Sequence, residues 1–151
     1  MSRPPAPLTH RNLPMLLLQA RERVIARFRP ILNAHGVTEQ QWRIVRVLLE
    51  RGPLEPREIV QACCISSPSL AGILARMDDL GLVRRAGVDG DLRRVSVSLT
   101  PRSRALAARI APQVEAAYAA IEARIGRQFT SEFYRTLDDL IAALDEAAPG
   151  D

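Results

Sequence analysis

The stretch Gly81-Leu82-Val83-Arg84-Arg85-Ala86-Gly87-Val88-Asp89-Gly90-Asp91-Leu92-Arg93-Arg94-Val95-Ser96-Val97-Ser98-Leu99-Thr100 decides the reading, because here apolar spacing changes from a helical repeat to alternation. Leu82 to Arg85 and Arg94 to Leu99 flank a tip containing Gly87, Asp89, Gly90 and Asp91, which predicts a β-hairpin. Arg84, Arg85, Arg93 and Arg94 place four cations on it. A narrow basic tip can lie on phosphates or enter a minor groove, where negative potential favours arginine. The same charges would discourage edge-to-edge strand pairing, and the two roles are compatible.

Upstream, Leu70, Ile73, Leu74, Met77 and Leu80 form an amphipathic stripe on a helix opened by Ser66 or Ser67 before Pro68. Its other face carries Ser69, Gly72 and Arg76. A short helix from Pro56 to about Cys63 buries Ile59. Before it, Thr38 and Gln41 make a capping box for a helix carrying Trp42, Val45, Leu48 and Leu49, closed by Gly52 and Pro53. From Leu13 to about Ala34 helical spacing continues, with Pro30 expected to kink or divide the helix and Gly36 to end it. Beyond the hairpin, Thr100 is expected to cap a helix from Pro101 toward Ile125, bent near Pro112. Thr130 is expected to cap a last helix through Phe133, Leu137, Leu140, Ile141 and Leu144.

The order of these elements predicts a mainly α fold with a small β-hairpin: a winged helix-turn-helix region at 37–100, with helical regions at 13–35 and 101–147. Residues 1–12, with Pro4, Pro5 and Pro7, read as a mobile arm, and 148–151 as a tail. A helix enters a major groove only when its outer face carries short side chains or groups that bond base edges, and Ser67, Ser69, Gly72 and Arg76 satisfy this. They equally fit a solvated helix face with routine caps.

Composition narrows the classes. The 151 residues include 21 arginines and no lysine, 17 acidic groups, and a formal charge of +4, a mild hint of an acidic partner. The apolar fraction is 47%, but 21 residues are alanine and six are aromatic, too few bulky groups for one thick core. Leu16, Val24, Ile110, Val114, Tyr118, Ile121, Leu137 and Leu144 exceed what a small winged domain covers, so the chain asks for a second copy. No uncharged run is long and apolar enough for a membrane span, and Leu13 to Leu18 is too short for a signal-peptide core, so a cytoplasmic location is expected. Adjacent Cys63 and Cys64 suit cytosolic thiols better than a mutual disulfide. The sequence has no phosphate-binding glycine loop, HExxH or GxSxG motif, and no metal-ligand spacing, so neither enzyme activity nor a cofactor is expected.

Asp91-Leu92-Arg93 through Leu99-Thr100, following Gly81-Leu82-Val83, resembles the wing signature of the multiple antibiotic resistance regulator (MarR) family. Within it, Leu18-Gln19-Ala20-Arg21-Glu22, Phe28-Arg29-Pro30, Thr38 through Arg46 and Pro68-Ser69-Leu70 are similar to the homoprotocatechuate-operon repressor type. The resemblance covers roughly residues 13–145. It implies an obligate homodimer with interlocked terminal helices and two winged domains reading a pseudo-palindrome in double-stranded DNA.

It further implies that Asp91 orients Arg93 toward the minor groove. Phosphate contacts are then expected from Ser66, Ser67 or Arg94, and base-edge contacts from Ser69, Gly72 or Arg76. Regulators of this kind release DNA on binding a small molecule, and this type is associated with aromatic catabolism. An aromatic carboxylate needs a guanidinium for its charge and a flat apolar wall for its ring. Arg21, Trp42, Arg43 and Arg46 fit that need, with Gln19 from the first motif and His10 as a cap of the pocket. Trp42 also fits ordinary packing, and Arg21 and Arg46 also fit salt bridges with Glu22, Glu50 or another helix. Two rival classes stand beside this one: a thiol redox sensor using Cys63 and Cys64, and a winged-helix adaptor that binds no DNA.

Overall fold

The computed structural model describes Met1 and residues 7–145, apart from the side chain of Leu92. The expected arm at residues 2–6 and the expected tail, with residues 146–147 of the last helical region, lie outside the described residues. The elements run α1 (Leu13–Ile25), α2 (Arg29–Ala34), α3 (Glu39–Arg51), α4 (Pro56–Cys63), α5 (Ser67–Asp79), β1 (Val83–Val88), β2 (Asp91–Leu99), α6 (Pro101–Ile125) and α7 (Arg127–Asp145). They fall into two compact units, Met1–Ala111 and Pro112–Asp151.

Local chemistry sets the boundaries in the first unit. Asn12 caps α1 by accepting the Met15 N–H at 3.1 Å, with Pro14 in the first turn, where an N–H is not needed. Pro30 sits in the first turn of α2, so the proline divides the helical segment. The Thr38 and Gln41 capping box is formed, each side chain accepting the other's N–H at 3.1 Å. Glu55 caps α4, and Glu58 accepts the Glu55 N–H at 3.0 Å. Ser66 is the residue that caps α5.

The core gathers the inner faces of α3, α4 and α5 under the hairpin: Ile44, Leu48, Ile59, Leu70, Leu74, Met77 and Val97 are all buried. Burying one such side chain is worth about 1.5–3 kcal/mol. One stripe position departs from expectation. Leu80 is 42% exposed, because α5 ends at Asp79 and the chain turns at Gly81, whose φ of +70° disfavours any side chain. Antiparallel β1 and β2 pair from Val83↔Leu99 to Gly87↔Val95, then shift register so that Val88 faces Asp91. Leu54 adds a bridge to Val97, with backbone N–H···O distances of 3.0 and 2.7 Å.

Thr100 caps α6 as expected: its Oγ1 accepts the Ser103 N–H at 3.2 Å and donates to the Gly81 carbonyl at 2.6 Å. Thr130, in contrast, is not a cap. Gly126 precedes α7, and the Thr130 hydroxyl donates back to the Gly126 carbonyl at 2.7 Å from inside the helix. Two of the residues expected to await a second chain, Ile110 and Val114, are buried within a single chain. Leu16 and Val24 in α1 and Leu144 in α7 stay exposed, and Leu137 in α7 is half-buried. α1 buries no residue and exposes Leu13, Met15, Leu16, Leu17, Leu18 and Val24, while α7 exposes Phe129, Phe133, Tyr134, Ile141 and Leu144. Contiguous apolar faces of this extent mark interaction surfaces. Among the described residues no single helix is long and apolar enough to cross a membrane.

Thr100→Ala is expected to lower stability by about 1–2 kcal/mol in urea unfolding at fixed protomer concentration, since it loses the cap and the tie to Gly81. Thr100→Ser should retain most of it. Equal losses in the two variants would show that methyl packing, rather than the hydroxyl, holds this corner.

Candidate functional site

α4 and α5 meet at 110° through Cys64, Ile65 and Ser66, within the usual range for a helix-turn-helix pair. Cys64 takes the left-handed conformation at φ +51° to end α4, and Ile65 is buried beneath the turn. α5 then presents Ser67, Ser69, Gly72 and Arg76 to solvent. A Cβ added at Gly72 would meet nothing within 4 Å, so internal packing does not demand glycine there. Ser66 Oγ donates to Ser69 Oγ at 2.9 Å while serving as the cap, so both hydroxyls are already engaged in the free chain.

The four hairpin cations divide into two kinds. Arg85 bonds Asp78 at 2.9 and 3.2 Å. Arg94 forms a two-point pair with Glu55, Nε to Oε1 at 2.9 Å and Nη2 to Oε2 at 2.8 Å. Among the described residues Arg84, Arg93 and Arg76 have no side-chain partner. Asp91 accepts the backbone N–H of Arg93 at 2.9 Å. It therefore shapes the hairpin around Arg93 and leaves the guanidinium unbonded. The expectation that Arg94 offers its charge to a phosphate meets a competitor, since Glu55 already holds it.

The expected effector residues assemble around an acidic residue that sequence reasoning passed over. Glu39, in the first turn of α3, receives Arg21, Arg43 at 3.0 Å and Arg29 at 3.6 Å. Glu22 pairs with Arg21 at 3.3 Å and Arg29 at 3.0 Å. Arg43 also donates to the Cys63 carbonyl at 2.7 Å, so it joins α3 to the end of α4. Trp42 is half-buried against the core, and Arg46 pairs with Glu50 at 3.0 Å. The Gln19 backbone carbonyl accepts from Arg23 at 3.0 Å, and its side chain is exposed. His10 lies in the exposed segment before α1, its Nδ1 3.5 Å from the hydroxyl of its neighbour Thr9. A separate open cavity of about 720 Å³ lies along α4, α5 and the hairpin, floored by Val60, Leu70, Leu74 and Val95. None of the expected effector residues lines it.

The cysteines differ. Cys63 is buried and burial pushes its thiol pKa up, against a smaller opposing pull from Arg43. An oxidation-sensing thiolate needs the reverse. Cys64 is exposed at the turn.

A helix pair at 110°, a polar outer face and a basic hairpin define a winged helix-turn-helix DNA-binding protein. A family model described as the MarR family matches residues 35–94. The homoprotocatechuate degradative operon repressor of Escherichia coli is 41% identical over 145 residues, covering 94% of this chain and 98% of that protein. The HTH-type transcriptional regulator FarR of Neisseria gonorrhoeae is 41% identical over 140 residues, covering 93% of each. The crystal structure of NadR in complex with 4-hydroxyphenylacetate superposes with a TM-score of 0.80 at 40% identity, covering 95% of this chain and 99% of that one. The chain belongs to the MarR family. It is a ligand-responsive, non-catalytic transcriptional regulator with a fold for DNA binding and dimerisation.

Arg94 holds the Glu55 carboxyl below its ordinary pKa by direct hydrogen bonding, and Glu55 raises that of Arg94 in return. A carboxylate with a lowered folded-state pKa contributes stability above its unfolded value and loses it as pH falls through the folded one. The NMR titration of Glu55 should therefore move up toward an ordinary glutamate in Arg94→Gln. An unchanged midpoint would remove Arg94 as the cause.

Proposed function

We propose that this regulator represses an operon for aromatic-compound catabolism and leaves its operator when a small aromatic acid binds. On DNA, α5 lies in the major groove with Ser69, Gly72 and Arg76 toward base edges, and Ser66 and Ser67 toward phosphates. Arg93, set by Asp91, enters the adjacent minor groove. Two such units in a dimer would read half-sites about 34–36 Å apart. In the effector site Trp42 supplies the wall for the ring, and Arg21, Arg43 and Arg46, with Gln19 and His10 nearer the opening, supply polar contacts. The observation that carries this reading is the half-buried Trp42 on α3 beside Arg43 and one helical turn before Arg46. It is supported by 40% identity to NadR, whose structure holds 4-hydroxyphenylacetate, and by 41% identity to the homoprotocatechuate degradative operon repressor.

Glu39 gives the site a built-in competitor. Its carboxylate occupies Arg21 and Arg43, and Glu50 holds Arg46, so an incoming acid must displace one of the two. The effector must also bind the two dimer geometries unequally, because equal affinity shifts no population.

Trp42 is the sole tryptophan, so fluorescence reports this site directly. Titration with 4-hydroxyphenylacetate and 3,4-dihydroxyphenylacetate should give saturable changes, weakened in Arg46→Gln, at the concentrations that release operator DNA in a gel shift. No response across a panel of aromatic acids removes this effector class. Arg93→Ala should weaken operator binding more than tenfold with the dimer intact, within the ~1–3 kcal/mol that one good arginine contact is worth. An unchanged affinity would remove Arg93 from the interface.

A further inference from the structure

The pair between Glu55 and Arg94 joins residues 39 apart in sequence, and three observations make it more than a surface ion pair. It is two-pointed, at 2.9 and 2.8 Å, a geometry that fixes both orientation and distance. Its acidic member stands at a helix boundary: Glu55 is the N-cap residue of α4, its backbone N–H donating to the Glu58 carboxylate and its carbonyl accepting the Glu58 N–H, each at 3.0 Å. It also sits next to the backbone bridge between Leu54 and Val97, which brings the start of α4 and the middle of β2 together before any side chain is placed.

We propose that Glu55 is the positioning residue of the wing: it seats β2 against α4 and withholds the charge of Arg94 from DNA. The wing then meets a duplex with Arg84 and Arg93 as its unpaired cations. Arg94 becomes a structural tie and leaves the set of phosphate contacts expected of it. The consequence is selectivity. Each cation free to settle on any phosphate strengthens binding to all sequences alike, because the gain comes from counterion release and carries no base information. Pairing Arg94 internally removes one such contact per protomer while keeping the wing in place for Arg93.

The salt dependence of binding to a duplex of unrelated sequence tests this, measured by fluorescence anisotropy between about 50 and 200 mM salt. Glu55→Gln keeps the size of the side chain but removes the charge that holds Arg94. The plot of log affinity against log salt should steepen by about 0.9 for each wing seated on DNA. Arg94→Gln should leave the wild-type slope unchanged. The double variant Glu55→Gln/Arg94→Gln should return to that slope, which separates the released arginine from the lost carboxylate. If Arg94→Gln alone flattens the slope by about 0.9 per wing, Arg94 is already on a phosphate and the proposal is wrong. An unsteepened slope in a folded Glu55→Gln protein overturns it as well. Should Glu55→Gln fail to fold, the slope of Arg94→Gln decides alone.

Discussion

Two backbone hydrogen bonds between Leu54 and Val97, at 3.0 and 2.7 Å, hold the winged helix-turn-helix region of this protein together. A two-stranded hairpin is marginal in water by itself. Here the bridge supplies it with a third partner, and Val97, fully buried at the junction, packs with Ile59, Leu70 and Leu74 in the common core. The start of α4 and the middle of β2 thus become one rigid corner. Glu55 and Arg94 lock its outer side, and Thr100 with the Gly81 carbonyl ties the end of α5 to the start of α6. The wing arginines therefore hold a fixed place beside the outer face of α5.

The second constraint is the thinness of the apolar interior. α1 and α7 fully bury no residue of their own, and the leucines of α1 and the aromatics of α7 lie open, whereas Ile110 and Val114 find cover within the chain. Apolar faces left open in this way suit association, in keeping with a fold that supports dimerisation. The ion-paired cluster on Glu39 begins on α1 and ends at the last turn of α4 through Arg43 and the Cys63 carbonyl. A change at α1 therefore has a short covalent and hydrogen-bonded route to the turn before α5.

Much of this was legible in sequence because local rules decided it. Prolines in first turns, the Thr38 box, the Thr100 cap and the switch to alternation at Leu82 each name a boundary without reference to anything distant. Thr130 misled because a threonine one turn inside a helix can bond back to a carbonyl as readily as it caps. Leu80 misled because periodicity continues on paper past the point where Gly81 turns the chain. The charges were the hard part. Four arginines on the hairpin look equivalent in sequence, yet Asp78 and Glu55 take one each. Glu39 was hidden as an ordinary first-turn acid, although Arg21, Arg29 and Arg43 all converge on it. Such pairings depend on tertiary distance, which spacing along a chain does not encode.

In the proposed mechanism one dimer couples an aromatic-acid site to an operator site. Thermodynamic linkage tests it most directly: the affinity of 4-hydroxyphenylacetate is measured by Trp42 fluorescence on free protein and on protein saturated with its operator. Operator DNA should weaken effector binding by the same factor by which effector weakens DNA binding. Equal effector affinity in the two states would contradict it.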